Sequence, residues 1–363
     1  MKVLSIIDSF KGTISSKRLN ELVTLELVNK GHIVDSITIA DGGDGFLDAI
    51  LGIIENVEVK KVMVNDPLFR SIESEYLIDK LNNTAYIELA KASGINLLTK
   101  EELNPFVAST YGLGELINDA INQGIKKIII GIGGSATNDG GSGMLQALGV
   151  KFFDNKNQEI KNISNGKFKL INHIDETLFL EKIKGIEFIT LSDVVNPLLG
   201  PTGATYIFSP QKGAKIDELE ILESNMKYYS SFKEGLEKPG SGAAGGVGYA
   251  LHAYFKSKFY PGIDYLLDLI DFDKLVDNYD YIITGEGKVD IQSLLGKVIF
   301  KISSRCIKKN VIIVCALNEL DDINLNDYNI TSIYSVVNES ISKEESMENP
   351  EQCFRKMIKE NVL

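Results

Sequence analysis

Four segments of the chain concentrate glycine beside small hydroxylated, amide or acidic residues: ADGGDG at 40–45, GIGGSATNDGG at 131–141, PGSGAAGG at 239–246 and TGEGKVD at 284–290. Glycine lacks a Cβ and accepts positive φ, so successive backbone N–H groups can converge on an anion. Where such a loop opens a helix, orphan N–H groups and the helix dipole strengthen the attraction. The second segment has that setting, with apolar Ile128–Ile130 before it and Met144, Leu145 and Leu148 at helical spacing after it. A single glycine-rich stretch reads equally well as a tight turn. Four in one chain point to a phosphorylated ligand held largely by backbone.

The polar residues nearby suit transfer of a phosphoryl group. That reaction needs carboxylates for a metal, cations or N–H groups on the phosphates, and a carboxylate near the acceptor hydroxyl. Asp8, Asp41, Asp193 and Glu286 each follow an apolar run directly, Asp44 and Asp290 lie close behind, and Lys11, Lys212 and Lys297 are the candidate cations. Any one of these carboxylates also reads as a helix cap or a solvated turn. Their common position after apolar strands, where α/β proteins bind ligands, favours a site. A nicotinamide enzyme competes, because Gly131-x-Gly133-x-x-Ala136 with Asp154 further on satisfies the dinucleotide fingerprint. Thr137–Gly141 interrupts the expected entry into a helix, and no GxxxxGK[ST] sequence is present.

The elements that must carry these residues alternate. Val3–Ile7 reads as a buried strand, Leu19, Leu22, Val23 and Leu27 as a helix capped near Ser15-Ser16 and ended by Gly31, and Ser36–Ala40 as a second strand. The runs 57–64, 74–78 and 84–89 are β-rich and divided by Asp66-Pro67 and Asn82-Asn83, which predicts antiparallel strands. A helix through Leu113–Ile121 leads to a strand at Ile128–Ile132, whereas 156–182 has weak periodicity. Short apolar strands recur at Tyr281–Thr284, Val311–Ala316 and Ile333–Val337. The predicted fold is α/β with two domains: a doubly wound, parallel-sheet, flavodoxin-like domain from residues 1–60 and 275–363, and an inserted mixed α/β domain at 61–274 carrying the GGSATNDGG loop. The active site is expected in the cleft between them.

The chain has 363 residues, 44% apolar and 24% charged, which excludes a disordered or fibrous protein. Its net charge of −12 repels nucleic-acid phosphates and anionic lipid, so neither nucleic acid nor a membrane is an expected partner. No apolar run approaches the ~20 residues of a membrane span, and Asp8 comes too early for a signal peptide. Cys306, Cys315 and Cys353 are widely spaced and read as reduced thiols of a cytoplasmic protein. His32, His173 and His252 are too far apart in sequence to suggest a histidine metal site.

Longer stretches resemble bacterial type-1 glycerate kinases. They are Asp8-Ser9-Phe10-Lys11, ADGGDG at 40–45, STYGLGELI at 109–117, IGIGGSATNDGGSGMLQALG at 130–149, DVVNPLLG at 193–200, PQKGA at 210–214, PGSGAAGG at 239–246 and TGEGKVDIQSLLGK at 284–297. The likeness runs from residue 1 to about 340, with the motifs in family order. It implies ATP-dependent phosphorylation of a hydroxyl of glycerate, with 2-phosphoglycerate as the favoured product and Mg²⁺ accompanying ATP. An NAD-dependent hydroxy-acid oxidoreductase and a hydroxy-acid-binding protein without turnover are the alternatives, and a homodimer is left open. With this resemblance, Asp193 is expected as general base, Lys11 and Asp44 as its catalytic companions, and Asp8, Ser9, Asp41, Gly42, Asn196 and Lys212 on the substrate. Gly133, Gly134, Ser135, Thr137, Asn138, Glu286 and Lys297 are expected on the nucleotide phosphates, and Asp41 and Asp290 on the metal. The sequence departs from the family pattern at Asp44, where glutamate is common, at Ser192, a frequent cysteine, at Leu295, often a polar residue, and at Ala316-Leu317-Asn318, which lacks a glycine.

Overall fold

The apolar run that opens the chain becomes the strand Lys2–Ile7, and its alternate residues bury on opposite faces of a sheet. In the computed structural model, which describes residues 1–234, 238–294, 297–320 and 324–363, the chain divides into two compact units. Leu295 and Gly296 lie outside the described residues. The first unit comprises Met1–Asp41, Asp48–Glu55 and Ile263–Leu363, and the second Gly42–Leu47 and Asn56–Gly262.

The first unit is built on a five-stranded sheet in the order Ser332–Ser335, Asn310–Asn318, Tyr281–Val289, Lys2–Ile7, Ile33–Ser36. Every neighbouring pair is parallel. Read from the far edge in chain order this is 2-1-3-4-5, the flavodoxin-like arrangement. Leu4 and Ile6 pack with Phe272, Ile299 and Ile302 on one face, and Val3 and Ile7 with Leu19, Leu22 and Phe354 on the other. Helices thus cover both faces, as burial of a parallel sheet requires. Ile7 stands opposite Gly285, so Asp8 leaves the sheet beside Glu286, whose own strand runs on to Val289 against Asn310–Asn318. They do so where the order of strands reverses, the point at which open α/β sheets bind ligands.

A buried polar network sets the end of that first strand. Ser15 caps the helix Ser16–Asn29 through a bond from the Arg18 N–H. The Ser16 hydroxyl donates to the Ile7 carbonyl at 2.6 Å and accepts the Ile39 N–H at 3.0 Å. Asn20 Oδ1 accepts from the Ser5 hydroxyl at 2.7 Å and the Ile7 N–H at 3.1 Å, and its Nδ2 donates back to the Ile7 carbonyl at 3.1 Å. The same network explains a difference from the sequence expectation: the second strand is Ile33–Ser36 and not Ser36–Ala40. Ile39 gives its N–H to Ser16 and not to a neighbouring strand.

The second unit carries a six-stranded mixed sheet in the order Lys258–Tyr260, Glu187–Leu191, Lys127–Gly131, Thr84–Glu88, Ser71–Asp79, Glu58–Asn65. The first four run parallel and the last two join antiparallel, as the turn spacing around 66 and 82 predicts. Its core joins Ile87, Ile128 and Ile130 to Leu113, Leu116 and Ile117 of the helix Tyr111–Asn122, and to Met144, Phe152 and Tyr229. Glu88, Gly131 and Leu191 lie in register at the carboxyl ends of three adjacent parallel strands. The loops that follow them carry most of the residues singled out from the sequence. Among the described residues no helix is long and apolar enough to cross a membrane.

Replacing Asn20 by Leu keeps its bulk and strands the Ser5 hydroxyl and Ile7 N–H in the core. Each buried group left unpaired costs roughly 1–3 kcal/mol, so Asn20→Leu is expected to lower Tm by about 5 °C or more in calorimetry. A Tm within about 1 °C of the parent would show that Asn20 does not hold the strand end.

Candidate active site

In the first unit, four charged side chains gather where the sheet order reverses. Asp8 is 5% exposed and takes the Ser9 N–H on Oδ1 at 2.7 Å. Burial, reinforced by the nearby Asp41 charge, pushes its carboxyl up to about 7, against the Ser9 bond and Lys11. Lys11, on the exposed loop before Ser15, donates to Asp41 Oδ2 at 2.7 Å. Glu286 is raised by burial, with the Ser293 hydroxyl and Lys297 opposing, and its Oε1 is buried without a hydrogen-bond partner. Asp290 is occupied differently. It accepts the Ser293 N–H at 3.2 Å and lies 3.3 Å from Lys288 and 3.8 Å from Lys297. Expected on a metal, it instead ends the strand Tyr281–Val289 and starts the short turn Ile291–Leu294.

In the second unit the Gly131–Gly141 loop is held from behind. Lys212, only 2% exposed, donates to the Ser135 hydroxyl and to the Thr137 carbonyl, both at 2.7 Å. Burial depresses its ammonium to about 7, against the attraction of Asp139. A lysine expected on the substrate therefore points into the protein and braces the loop. Thr137 and Asn138 are fully buried as well, with Thr137 Oγ1 and Asn138 Oδ1 unpartnered, so their side chains do not face solvent as a phosphate cradle would. Gly133 and Gly134 are the loop residues at the surface, and the Gly133 N–H is used on the Gly42 carbonyl at 3.1 Å. Asp44 lies at this surface: its Oδ1 is 2.8 Å from where a Gly134 Cβ would sit, and Asn96 Nδ2 donates to its Oδ2 at 3.1 Å.

Asp139 ties the loop to the starts of two helices, Tyr111–Asn122 before it and Ser142–Ala147 after it. Its carboxylate accepts the Thr110 N–H and hydroxyl at 2.8 Å and the Gly141 and Gly143 N–H groups at 3.1 Å. Burial raises its pKa while those four bonds oppose the rise. Thr110 in turn accepts the Met144 N–H at 2.9 Å. Asp193 is exposed on the loop after Glu187–Leu191. That loop is fixed by Asn196, whose carbonyl accepts the Gly242 N–H at 2.9 Å and whose Nδ2 donates to Thr202 at 2.8 Å. Gly245 lies at φ +65°, and a Cβ there would clash with the Thr137 carbonyl. PGSGAAGG is therefore a spacer, joining the Asp193 loop on one side to Thr137 and Gly140 on the other.

The structure thus brings Asp8, Lys11, Asp41 and Glu286 together in one unit, with Ser9 beside Asp8 and Lys297 beside Asp290. In the other it brings Asp44 to Gly134, and Gly42 against the same loop. Thr110, Asp139, Asn96 and Glu88 were not singled out as site residues. Asp139 stands inside the GGSATNDGG run and Glu88 ends an apolar strand, which are the signals that could have found them. The dinucleotide reading does not fit: the helix Ser142–Ala147 begins well past Ala136. Asp154 follows Lys151–Phe153, which pairs antiparallel with His173–Asp175, outside the parallel sheet.

Carboxylates grouped beyond parallel strands, and a glycine loop in the second unit, suit the needs of phosphoryl transfer to a small molecule. The sequence profile described as "Glycerate kinase family" matches residues 3–362. A glycerate kinase of Bacillus subtilis (strain 168) is 32% identical over 99% of this chain and 96% of its own length. A glycerate 2-kinase of Escherichia coli (strain K12) is 34% identical over 93% and 91%. A crystal structure from Salmonella typhimurium LT2, also named for glycerate kinase, superposes with TM-score 0.81 at 29% identity, covering 99% of this chain and 96% of the other. The chain belongs to the glycerate kinase family.

The raised Asp8 pKa has a thermodynamic consequence. Below about 3.8 folded and unfolded chains both carry the proton, and above about 7 both are ionised and the buried charge costs its full amount. The stability this group contributes is therefore present in acid and lost as pH rises through 7. Asp8→Asn is expected to raise Tm at pH 8 by several degrees, with the gain vanishing toward pH 4. An offset equal at both pH values would contradict the assignment.

Proposed function

We propose that the chain transfers the γ-phosphoryl group of ATP to a hydroxyl of glycerate, giving 2-phosphoglycerate. The observation that carries this reading is the gathering of Asp8, Lys11, Asp41 and Glu286 where the sheet order of the first unit reverses, in a chain of the glycerate kinase family. Asp193 is the general base that accepts the glycerate hydroxyl proton. It is a solvent-exposed carboxylate on a loop fixed from two sides, and deprotonation of the attacking hydroxyl is the step such a group accelerates. Lys11 offsets negative charge on the transferring oxygens or on the glycerate carboxylate.

Among the described residues no three His, Cys, Asp or Glu side chains group as a metal cage. Mg²⁺ held mainly by nucleotide phosphates needs only one or two carboxylates, and Asp44, at the Gly134 surface of the second unit, is a residue that would hold it. Bound there, it would supply positive charge to the phosphoryl oxygens. Asp290, tied to Ser293 and two lysines, has no part in this proposal. Lys212 acts through the loop it braces.

ADP release across a panel of small hydroxy acids, with product identified by NMR, tests the activity. Glycerate-dependent ADP release with phosphate on the 2-hydroxyl is expected. A glycerate-dependent change in nicotinamide absorbance without ADP would overturn it. Asp193→Asn keeps the shape and removes the charge, and a loss of about 10²–10⁴-fold in kcat is expected, the usual worth of a positioned base. Turnover within about threefold of the parent would remove Asp193 from that role.

A further inference from the structure

Glu88 ends the strand Thr84–Glu88, is 3% exposed, and has no part in the chemistry described so far. Its Oε2 accepts the Leu47 N–H at 3.1 Å, and the Gly45 N–H also bonds its carboxylate. Both N–H groups belong to the start of the helix Phe46–Ile53, which begins two residues after Asp44. Gly45 has no side chain with which to cap that helix. A capping serine or aspartate in its place would satisfy the helix locally. A carboxylate brought from the sheet does so only by tying the turn to the strand.

Burying a carboxylate is costly unless it is well bonded, and two backbone N–H groups at a helix start are a fitting partner. The charged groups facing Glu88 are Asp44 on the turn and Lys91 on the segment Ala90–Ser93, and Lys91 itself bonds Glu75 at 3.0 Å. On its other side Asp44 meets Asn96 Nδ2 at 3.1 Å. Gly42 in the same turn is anchored by the Gly133 N–H.

We propose that Glu88 is a positioning residue for Asp44, holding the 42–47 turn from behind so that the Asp44 carboxylate is presented beside Gly134. Glu88 itself touches no reacting atom. The proposal rests on the reading of Asp44 as a residue of the phosphoryl-transfer machinery, and the test separates the two.

The experiment is a double-mutant cycle in the full chain, reading kcat and KM separately, with Tm as a check on folding. Asp44→Asn alone decides the Asp44 reading: a large loss of kcat supports it, and normal turnover overturns both it and the role assigned to Glu88. Glu88→Gln keeps one acceptor and loses the other, and a fall of about 10-fold or more in kcat with little change in KM is expected for a displaced catalytic group. In the Asp44→Asn background the same change should cost less than about twofold, because the group it positions is already gone. If the two losses multiply, Glu88 acts independently of Asp44 and the proposal fails while the Asp44 reading stands. Glu88→Asp retains the charge but is one methylene too short. It should show the same non-additivity, and it replaces Glu88→Gln should that variant not fold.

Discussion

The site of the second unit depends on backbone approaching backbone more closely than any side chain permits. A Cβ on Gly133 would overlap the Gly43 Cα, and one on Gly245 would overlap the Thr137 carbonyl. Each approach is sealed by a hydrogen bond between main chains, Gly133 N–H to Gly42 and Gly140 N–H to Gly245. Three segments far apart in sequence therefore share one framework around the Gly131–Gly141 loop. Asp44 and Asp193 take their positions from that framework, because each sits within a few residues of one of its contacts. Ala244, at φ +53° beside Gly245, is a residue with a Cβ in the left-handed region, which such residues seldom adopt.

A second regularity is the use of buried charge as internal structure. Lys212 and Asp139 face the loop from inside and spend their hydrogen bonds on it. Asn20 does comparable work at the end of the first strand in the other unit. Buried polar groups hold geometry only when their partners are nearly complete, since each missing bond is expensive at low dielectric. The chain meets that condition through backbone groups, whose positions the sheets already determine. Asp8, which is buried, and Glu286, which is half-buried, differ in having few bonds, raised pKa values and a neighbouring lysine.

What the sequence made legible follows from the range of the forces involved. Strands such as Lys2–Ile7 and Glu187–Leu191 could be read from apolar runs, and Ser15 as a cap, because those signals are local. The carboxylates at strand ends were visible for the same reason. The second strand was misplaced because Ile39 bonds a serine 23 residues earlier, which no local pattern records. Lys212 reads as a cation for the substrate, whereas its partners in the structure are Ser135 and Thr137, 77 and 75 residues away. The glycines were read as phosphate donors, whereas the Gly133 N–H and the Gly245 carbonyl serve packing between chain segments.

The central claim is that these main-chain contacts, and not the loop's own turns, hold the site in place. Amide hydrogen exchange on the full chain tests it at single residues. The N–H groups of Gly133, Gly140 and Gly242, each bonded to a carbonyl of a distant segment, should exchange as slowly as those of the strand Lys127–Gly131. Exchange at the rate of exposed loops such as 156–157 would mean that the contacts open freely, and the account of how Asp44 and Asp193 are positioned would be wrong.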